Sequence, residues 1–237
     1  MSINNIADIT NVVYINLESR PDRKAHIESQ LKSVGINNYK RFNAIKTANG
    51  AIGCTMSHLK CLEDAYSKGL THLLVCEDDM MFLKPDVFIK QFNSFLTKHR
   101  SSTWDVVLLA GNNSNPFLEI DDTCIRVTRC QTTTAYLVNG AYIPTLIKNI
   151  KEGLIKLMHN QDSRGLYAID RYWMKLQQLG HWFLIIPLTV VQKEGYSDIE
   201  KKNVNYPKAM NLTDKKNIVH NVNGESKFDM KHIMKYK

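Results

Sequence analysis

Short apolar runs alternate with longer amphipathic stretches along this chain, and the alternation limits its fold more than any other feature. The apolar runs NVVYINL, YKRFNAI, HLLVCEDD and WDVVLLAGN are typical of strands, and stretches with helical spacing separate them. Strands joined through helices build an α/β sheet with right-handed crossovers. With 237 residues and 43% hydrophobic content, the chain can bury a substantial core. We therefore predict a mostly parallel central sheet flanked by helices.

Local patterns predict individual elements. Residues 23–34 have helical spacing, and GAIGCTMSHLKCLEDAYSKG reads as a glycine-containing loop that enters a helix ending at Gly69. We expect a further helix over YAIDRYWMKLQQLG and one buried strand over residues 182–191. The stretch PDVFIKQFNSFLTKHR predicts a helix whose apolar face is formed by Val87, Phe88, Phe92, Phe95 and Leu96.

Three adjacent carboxylates, Glu77, Asp78 and Asp79, follow the apolar run LLVC. Two like charges about 4 Å apart repel by about 4 kcal/mol at an effective dielectric near 20, so the cluster needs a compensating feature. In parallel α/β sheets the ligand crevice lies at the carboxyl ends of the strands, where this triplet falls. Carboxylate oxygens suit Mg²⁺ or Mn²⁺, whereas an acidic turn that faces water is the simpler alternative.

Composition excludes several classes of protein. The opening lacks the basic start and apolar stretch of a secretory signal, and the apolar run over residues 182–191 is too short to span a bilayer, so we expect no transmembrane segment and a cytoplasmic location. Five cysteines without a CxxC pair indicate buried free thiols. The net charge of +8 is concentrated from residue 200 onward, where nine lysines face four acidic residues, but no nucleic-acid motif accompanies them. We expect no nucleic-acid partner.

Several segments agree in order and approximate spacing with one known family. These are VVYINLESRPDR, FNAI, IGCTMSHLKCLEDA, LLVCEDDM, TAYLVNGAY, AIDRYWM and VVQKEGYSDI. Over about residues 11 to 200 the chain resembles glycosyltransferase family 25, which includes lipooligosaccharide galactosyltransferases and collagen hydroxylysine galactosyltransferase domains. The resemblance implies a GT-A-type glycosyltransferase fold, a UDP-sugar donor, a Mn²⁺ or Mg²⁺ cofactor and inversion at the anomeric carbon.

The resemblance also implies roles for residues near the nucleotide. Asn16, Arg20 and Arg23 match the first-strand motif and would border the nucleotide, where the planar guanidinium group of arginine pairs with phosphate oxygens or stacks on a base. Ser57 and His58 match a Ser-His pair that we expect at a helix entrance, where free amide donors favour an anion. An exposed helix start for the arginines and a packed histidine are the structural alternatives.

The acidic positions are assigned in the same way. Asp79 and Glu77 match the metal motif, with Asp78 closer to the ribose or the sugar. Asp170 matches the late acidic position and would be the catalytic base, with donor recognition, acceptor positioning or helix capping as competing roles. AIDRYWM lacks the usual proline before this Asp. The closing segment is matched by Gln192, expected in the nucleotide site, and Ser197.

The expected activity is transfer of galactose or glucose from UDP-galactose or UDP-glucose to a hydroxyl group of a glycan or of a collagen-like hydroxylysine. A degenerate domain that binds the nucleotide-sugar without turnover is the alternative. We expect residues 1–200 to form the catalytic domain. For residues 201–237 we expect a basic tail, which is passive or instead covers the nucleotide site and supplies His220 to a metal.

Overall fold

The computed structural model describes residues 3–100, 103–197, 202–205 and 210. Its α-helices are α1 Pro21–Ser33, α2 Gly50–Ser67, α3 Pro85–Lys98, α4 Ile143–His159, α5 Arg164–Tyr167, α6 Ile169–Tyr172 and α7 Met174–Leu179. Its strands are β1 Val12–Asn16, β2 Lys40–Asn43, β3 His72–Glu77, β4 Met80–Phe82, β5 Val106–Leu108, β6 Asn112–Asn113, β7 Phe117–Glu119, β8 Cys124–Val127, β9 Cys130–Gln131, β10 Ala135–Asn139, β11 Trp182–Ile185, β12 Val190–Gln192, β13 Gly195–Ser197 and β14 Lys202–Val204. Ile6–Asp8 and Gly140–Tyr142 form 3₁₀ turns.

An eight-stranded sheet in the order β2-β1-β3-β10-β5-β11-β8-β7 forms the centre of the protein. The strands β2, β1 and β3 are parallel, β10 is antiparallel to both of its neighbours, and β5 and β11 are again parallel. With β8 also reversed, six of the eight strands run in one direction. The predicted α/β class with a mostly parallel central sheet is confirmed.

The parallel part of the sheet brings polar strand ends together. In the β1–β3 register Ile15 lies opposite Glu77, and in the β1–β2 register Asn16 lies opposite Asn43. The acidic triplet therefore leaves the sheet beside the end of β1, at the edge where a ligand crevice is expected.

Alternating side chains of the inner strands fill two cores, one on each face of the sheet. On β3, Leu74 and Cys76 join the core beneath α1 and α3, whereas Leu73 and Val75 join the core beneath α2 and α4. Burial of both faces accounts for the nearly continuous apolar run that precedes Glu77. Met80 after the triplet is also fully buried, as expected for a packing residue.

Two predicted elements are wrong in detail. Residues 182–191 form two strands in different sheets, β11 and β12, because Pro187 between them has no amide hydrogen to donate to a ladder. The stretch expected as one helix over residues 167–180 is divided among α5, α6 and α7.

The buried apolar face of α3 is narrower than its sequence pattern predicts. Phe88, Phe92, Phe95 and Leu96 are buried, but Val87 is 43% exposed. Val87 precedes Phe88 by one residue, which turns it about 100° around the helix axis, away from the centre of the face.

The basic tail expected over residues 201–237, including His220, lies outside the described residues except for 202–205 and 210. Met210 is 1% exposed and packs in the core beneath α1 and α3. All five cysteines are free thiols; four are buried and Cys54 is partly buried. Among the described residues, no helix combines the length and apolar content that crossing a membrane requires.

The aromatic face of α3 supports a stability prediction. Phe92 is fully buried and stacks on Phe88 and Phe95 with ring centroids 5.3 and 6.2 Å away. We expect Phe92→Ala to lower the free energy of unfolding by about 3–5 kcal/mol because it leaves a cavity. Val87→Ala on the same helix is the control and should change it by about 0.5 kcal/mol or less. Urea denaturation measures both, and equal effects would contradict the packing described.

Candidate active site

Two cavities meet at the carboxyl ends of β1 and β3. The first, of about 430 Å³, lies between the β1–α1 connection, the β2–α2 connection and α2. The second, of about 310 Å³, lies between α2, the connection that precedes β10, and α5 with α6. Four residues line both cavities and form what we call the shared wall: Cys54, Glu77, Gln192 and Ser197.

Asp78 is held by side chains from the first strand and the first helix. Its Oδ2 accepts a hydrogen bond from Asn16 Nδ2 at 2.8 Å, and its Oδ1 pairs with Arg23 Nη1 at 3.0 Å. Burial raises the pKa of Asp78, although both partners act in the opposite direction. Arg41, which the sequence analysis did not single out, donates to Asn16 Oδ1 at 3.0 Å and so fixes the amide orientation.

Asp79 has one satisfied and one unsatisfied oxygen. Oδ2 accepts from Gln192 Nε2 at 2.9 Å and from Arg23 Nη1 at 3.2 Å. Oδ1 is buried and has no hydrogen-bond partner among the described residues. Burial, followed by repulsion from Glu77, raises the pKa of Asp79 to about 7.

Arg23 is the cation that both aspartates share. Besides its contacts with Asp78 and Asp79, its Nη2 donates to the main-chain oxygen of Tyr196 at 2.8 Å. Burial acts to lower the pKa of Arg23, but the two carboxylates outweigh it and the pKa is raised. This single guanidinium group therefore links α1, the acidic triplet and β13.

Glu77 faces different partners from those of the two aspartates. Its Oε1 accepts from Thr133 Oγ1 at 2.7 Å and contacts His58 Nε2 at 3.2 Å and Cys54 Sγ at 3.7 Å. Burial acts to raise the pKa of Glu77, but the hydrogen bond and charge of His58 and the bond from Thr133 outweigh it, so the pKa is lowered.

Ser57 and His58 do not lie at a helix entrance. Helix α2 begins at Gly50, capped by the side chain of Asn49, so the pair lies two turns inside it. The Ser57 hydroxyl donates to Gly53 O at 2.8 Å and accepts from Ile45 N at 2.8 Å. The predicted amide donors of a helix start are therefore not available at Ser57 and His58, and Ser57 instead anchors the β2–α2 connection.

Gly53 lies inside α2 and is needed there for close packing. A Cβ on Gly53 would lie 2.3 Å from the main-chain oxygen of Ile45, so the chain approaches α2 more closely than any side chain allows. Gly53 therefore serves close packing inside a helix, whereas the pattern indicated a loop.

Asp170 lies in the second cavity, at the start of α6. Its Oδ2 accepts from Thr132 N at 3.1 Å, and Thr132 itself has φ of +81°. Burial raises the pKa of Asp170, opposed first by this amide and then by the charge of Arg171. Arg164 and Arg171, which the sequence analysis did not identify, also line this cavity.

Arg20 occupies a different position from Arg23. It pairs with Asp22, Nη2 to Oδ2 at 2.8 Å, and lines a smaller cavity of about 240 Å³ that Arg23, Lys193 and Tyr196 also border. The structure thus brings Asn16, Arg23, Asp78, Asp79 and Gln192 into one network, with Arg20 at its outer edge.

The carboxylates fit a divalent cation in part. The unpartnered Asp79 Oδ1 is a buried acceptor that a cation would satisfy, and Asp78 adds a second hard oxygen donor nearby. The described residues contain two groups of three potential metal ligands. Within each group the ligand atoms lie within 4.8 Å of one another, and neither group contains Asp79. One of them contains Glu77, together with Cys54 and His58.

The raised pKa of Asp79 predicts a pH dependence of stability in metal-free protein. Its folded-state pKa of about 7 lies above the unfolded value of about 4, so the folded protein retains a proton that the unfolded chain has lost between these values. Stability should fall as the pH rises from 4 through 7, by at most about 4 kcal/mol. Asp79→Asn should flatten this slope.

Urea midpoints at pH 5 and pH 8, with chelator present, measure the effect. The exposed carboxylate Asp162 supplies the matched control, since Asp162→Asn should leave the wild-type slope in place. A slope unchanged by Asp79→Asn would contradict the assigned burial of Asp79.

Residues 46–158 match the family model described as glycosyltransferase family 25 (LPS biosynthesis protein), and the resemblance to this family is confirmed over that range. The matched range is just under half of the chain. It contains Ser57, His58 and the acidic triplet, whereas Asn16, Asp170 and the other assigned residues lie outside it. The match supports glycosyltransferase activity in general. No curated protein matches the chain.

Three solved structures have partly similar shapes. They are a mannose-1-phosphate geranyltransferase from Thermus thermophilus (12% identity, 74% of this chain and 73% of that one, TM-score 0.48), the protein A197 from STIV (12%, 82% and 93%, 0.43) and a nucleoside-diphosphate-sugar pyrophosphorylase from Vibrio cholerae (17%, 81% and 80%, 0.37). None of these similarities supports a functional assignment, because each TM-score is below 0.5.

Proposed function

We propose that this protein is a metal-dependent glycosyltransferase that moves galactose or glucose from a UDP-sugar to an acceptor hydroxyl group with inversion. The observation that carries the proposal is the arrangement of two adjoining cavities around one set of buried carboxylates, within a chain whose residues 46–158 match a glycosyltransferase family. One cavity would hold the donor and the other the acceptor, with the reacting carbon at the shared wall.

The first cavity has the chemistry that a nucleotide-sugar needs. Ile15, Leu17 and Ile45 offer apolar surface for a base, and Arg23 and Lys46 supply positive charge for a diphosphate. Asn16 Nδ2 and Arg23 already orient the carboxylate of Asp78, which we assign to the ribose or the sugar.

Asp79, with Asp78 or Glu77, would hold Mn²⁺ or Mg²⁺. When bound, such an ion supplies neutralisation of the charge that develops on the departing diphosphate. Gln192 and Arg23 keep the Asp79 carboxylate in place by bonding its Oδ2, whereas Oδ1 has no hydrogen-bond partner among the described residues. Gln192 therefore positions a ligand and need not contact the nucleotide directly.

Asp170 is the proposed base, because inversion by a single displacement requires a carboxylate on the acceptor side. It lies in the second cavity, and the Thr132 amide fixes one of its oxygens at 3.1 Å. Its raised pKa makes it a stronger proton acceptor than an exposed aspartate. Asp170 would take the proton of the acceptor hydroxyl group as that oxygen bonds to the anomeric carbon.

The first test is a panel of UDP-sugars in which the release of UDP is measured with Mn²⁺, with Mg²⁺ and with chelator. UDP-galactose or UDP-glucose should give metal-dependent release, and Asp79→Asn should remove it, because the amide keeps the shape of the side chain but loses its charge. Asp162→Asn is the control that should retain wild-type release. Binding of UDP without release from any donor, even with acceptors, would favour a degenerate binding domain.

The second test separates chemistry from binding. Asp170→Asn should lower transfer by about 10²-fold or more while UDP affinity changes little, as expected for loss of a general base. Acceptor panels should contain glycans and hydroxylysine peptides. The N-cap of α6 is Ala168, so Asp170 does not cap this helix. If Asp170 only anchored the Thr132 amide, the asparagine would serve almost as well, because its side-chain oxygen can accept the same hydrogen bond. Near-normal transfer by Asp170→Asn would remove Asp170 from the mechanism.

A further inference from the structure

Three ligand atoms of unlike chemistry converge on the shared wall. Cys54 Sγ lies 3.7 Å and His58 Nε2 lies 3.2 Å from Glu77 Oε1, and all three atoms are within 4.8 Å of one another. Around a tetrahedral Zn²⁺ with ordinary bond lengths, sulfur and oxygen ligands are separated by roughly 3.6 Å, and nitrogen and oxygen ligands by roughly 3.4 Å. The protein therefore already holds these atoms near the edges of a zinc tetrahedron.

The local structure keeps the imidazole in this position. Cys54 and His58 are four residues apart on α2, which places both on one face of the helix. His58 Nδ1 lies 3.0 Å from the hydroxyl oxygen of the buried Tyr136, and the two rings stack. A hydrogen bond on the second ring nitrogen is the usual way in which a metal-binding histidine is oriented.

The three ligand residues border the cavities. Cys54 and Glu77 line both, and the buried His58 lines the first, so an ion could enter from either side. Three protein ligands with an open fourth position are typical of exchangeable and catalytic zinc sites.

The donor set differs from that of the adjacent aspartates. Thiolate and imidazole select Zn²⁺, whereas carboxylate oxygens suit Mn²⁺ and Mg²⁺. We propose that Cys54, His58 and Glu77 form a zinc site separate from Asp78 and Asp79, and that zinc bound there blocks the passage between the two cavities and inhibits the protein.

Binding is balanced by simple proton movements. The thiol proton of Cys54 leaves to solvent as the sulfur–zinc bond forms. For zinc to bind, the proton through which His58 Nε2 contacts Glu77 is exchanged through solvent to Nδ1, where the Tyr136 oxygen would accept it, and the freed Nε2 lone pair would bind the metal. The Glu77 carboxylate would exchange its contacts with Cys54 and His58 for the ion.

A second group of potential ligands, His99, Asp121 and Cys124, provides an internal comparison. His99 Nε2 contacts both Asp121 Oδ2, at 3.0 Å, and Cys124 Sγ, at 3.5 Å. These residues line none of the cavities described above, and the positive charge of Lys98 is close enough to Asp121 and Cys124 to interact with both. We therefore do not assign the zinc site to this group.

Cobalt binding to metal-free protein tests the location. Co²⁺ should produce a near-ultraviolet thiolate charge-transfer band that Zn²⁺ displaces and excess Mg²⁺ does not. Cys54→Ser should abolish the band and weaken zinc binding by at least about 100-fold. Loss of a residue that only hydrogen-bonds to a metal ligand already lowers metal affinity by about 10–100-fold. Tyr136→Phe, which removes only the hydrogen bond to His58, should keep the band and weaken zinc binding by about 10-fold or more.

The controls are cysteines outside the site. Cys61→Ser changes a buried thiol of the same helix, and Cys124→Ser changes the second group; both variants should keep the band. A band that survives Cys54→Ser, or that Cys124→Ser alone removes, would overturn the proposed location. These spectra do not depend on glycosyl transfer, so they stand even if the proposed function fails.

Inhibition is tested separately, by release of UDP in Mn²⁺ with added zinc. Low zinc should inhibit the wild type. Cys54→Ser should need at least about 100-fold more zinc for the same fractional inhibition, with each protein compared with its own zinc-free rate. Cys61→Ser should respond as the wild type does. Zinc binding at Cys54 without any effect on release would overturn the inhibitory role.

Discussion

The site depends on one cation placed between two buried carboxylates. Arg23 Nη1 lies 3.0 Å from Asp78 and 3.2 Å from Asp79, while Glu77, the third acid of the triplet, is directed to His58 and Thr133. Without this division, three adjacent carboxylates would repel one another at a low-dielectric strand end. Asp79 is the least compensated of the three, because its Oδ1 has no partner among the described residues and burial raises its pKa. A positive ligand beside it would favour its ionised form.

Much of this arrangement could be predicted from the sequence because it is encoded locally. The apolar runs that end in Asn16 and Glu77 specify parallel strands, and parallel strands deliver their carboxyl ends to one edge. What could not be predicted depends on contacts between distant segments. Arg41 reaches Asn16 across 25 positions, and Tyr136 reaches His58 across 78, so no short pattern identifies either partner.

The errors also have physical causes. Ser57 was expected at a helix start because glycines before it resemble a loop, but Gly53 is required by close packing against Ile45 inside α2. Residues 182–191 were expected as one strand because apolar content does not reveal that Pro187 separates two sheets. In both cases the local pattern did not reveal how distant segments pack.

The reversal of β10 between β3 and β5 has a consequence for how proteins of this architecture can diverge. Because β10 runs against its neighbours, its beginning, with Thr132, Thr133 and Thr134 just before it, lies at the edge where β3 ends. The three threonines belong to the long connection between β5 and β10. Asn16 and Arg23, in contrast, belong to the first strand and the first helix. Insertions or deletions in that connection can reshape the second cavity while the first cavity keeps its framework of parallel strands. Recognition of one substrate can therefore change without altering the pocket for the other.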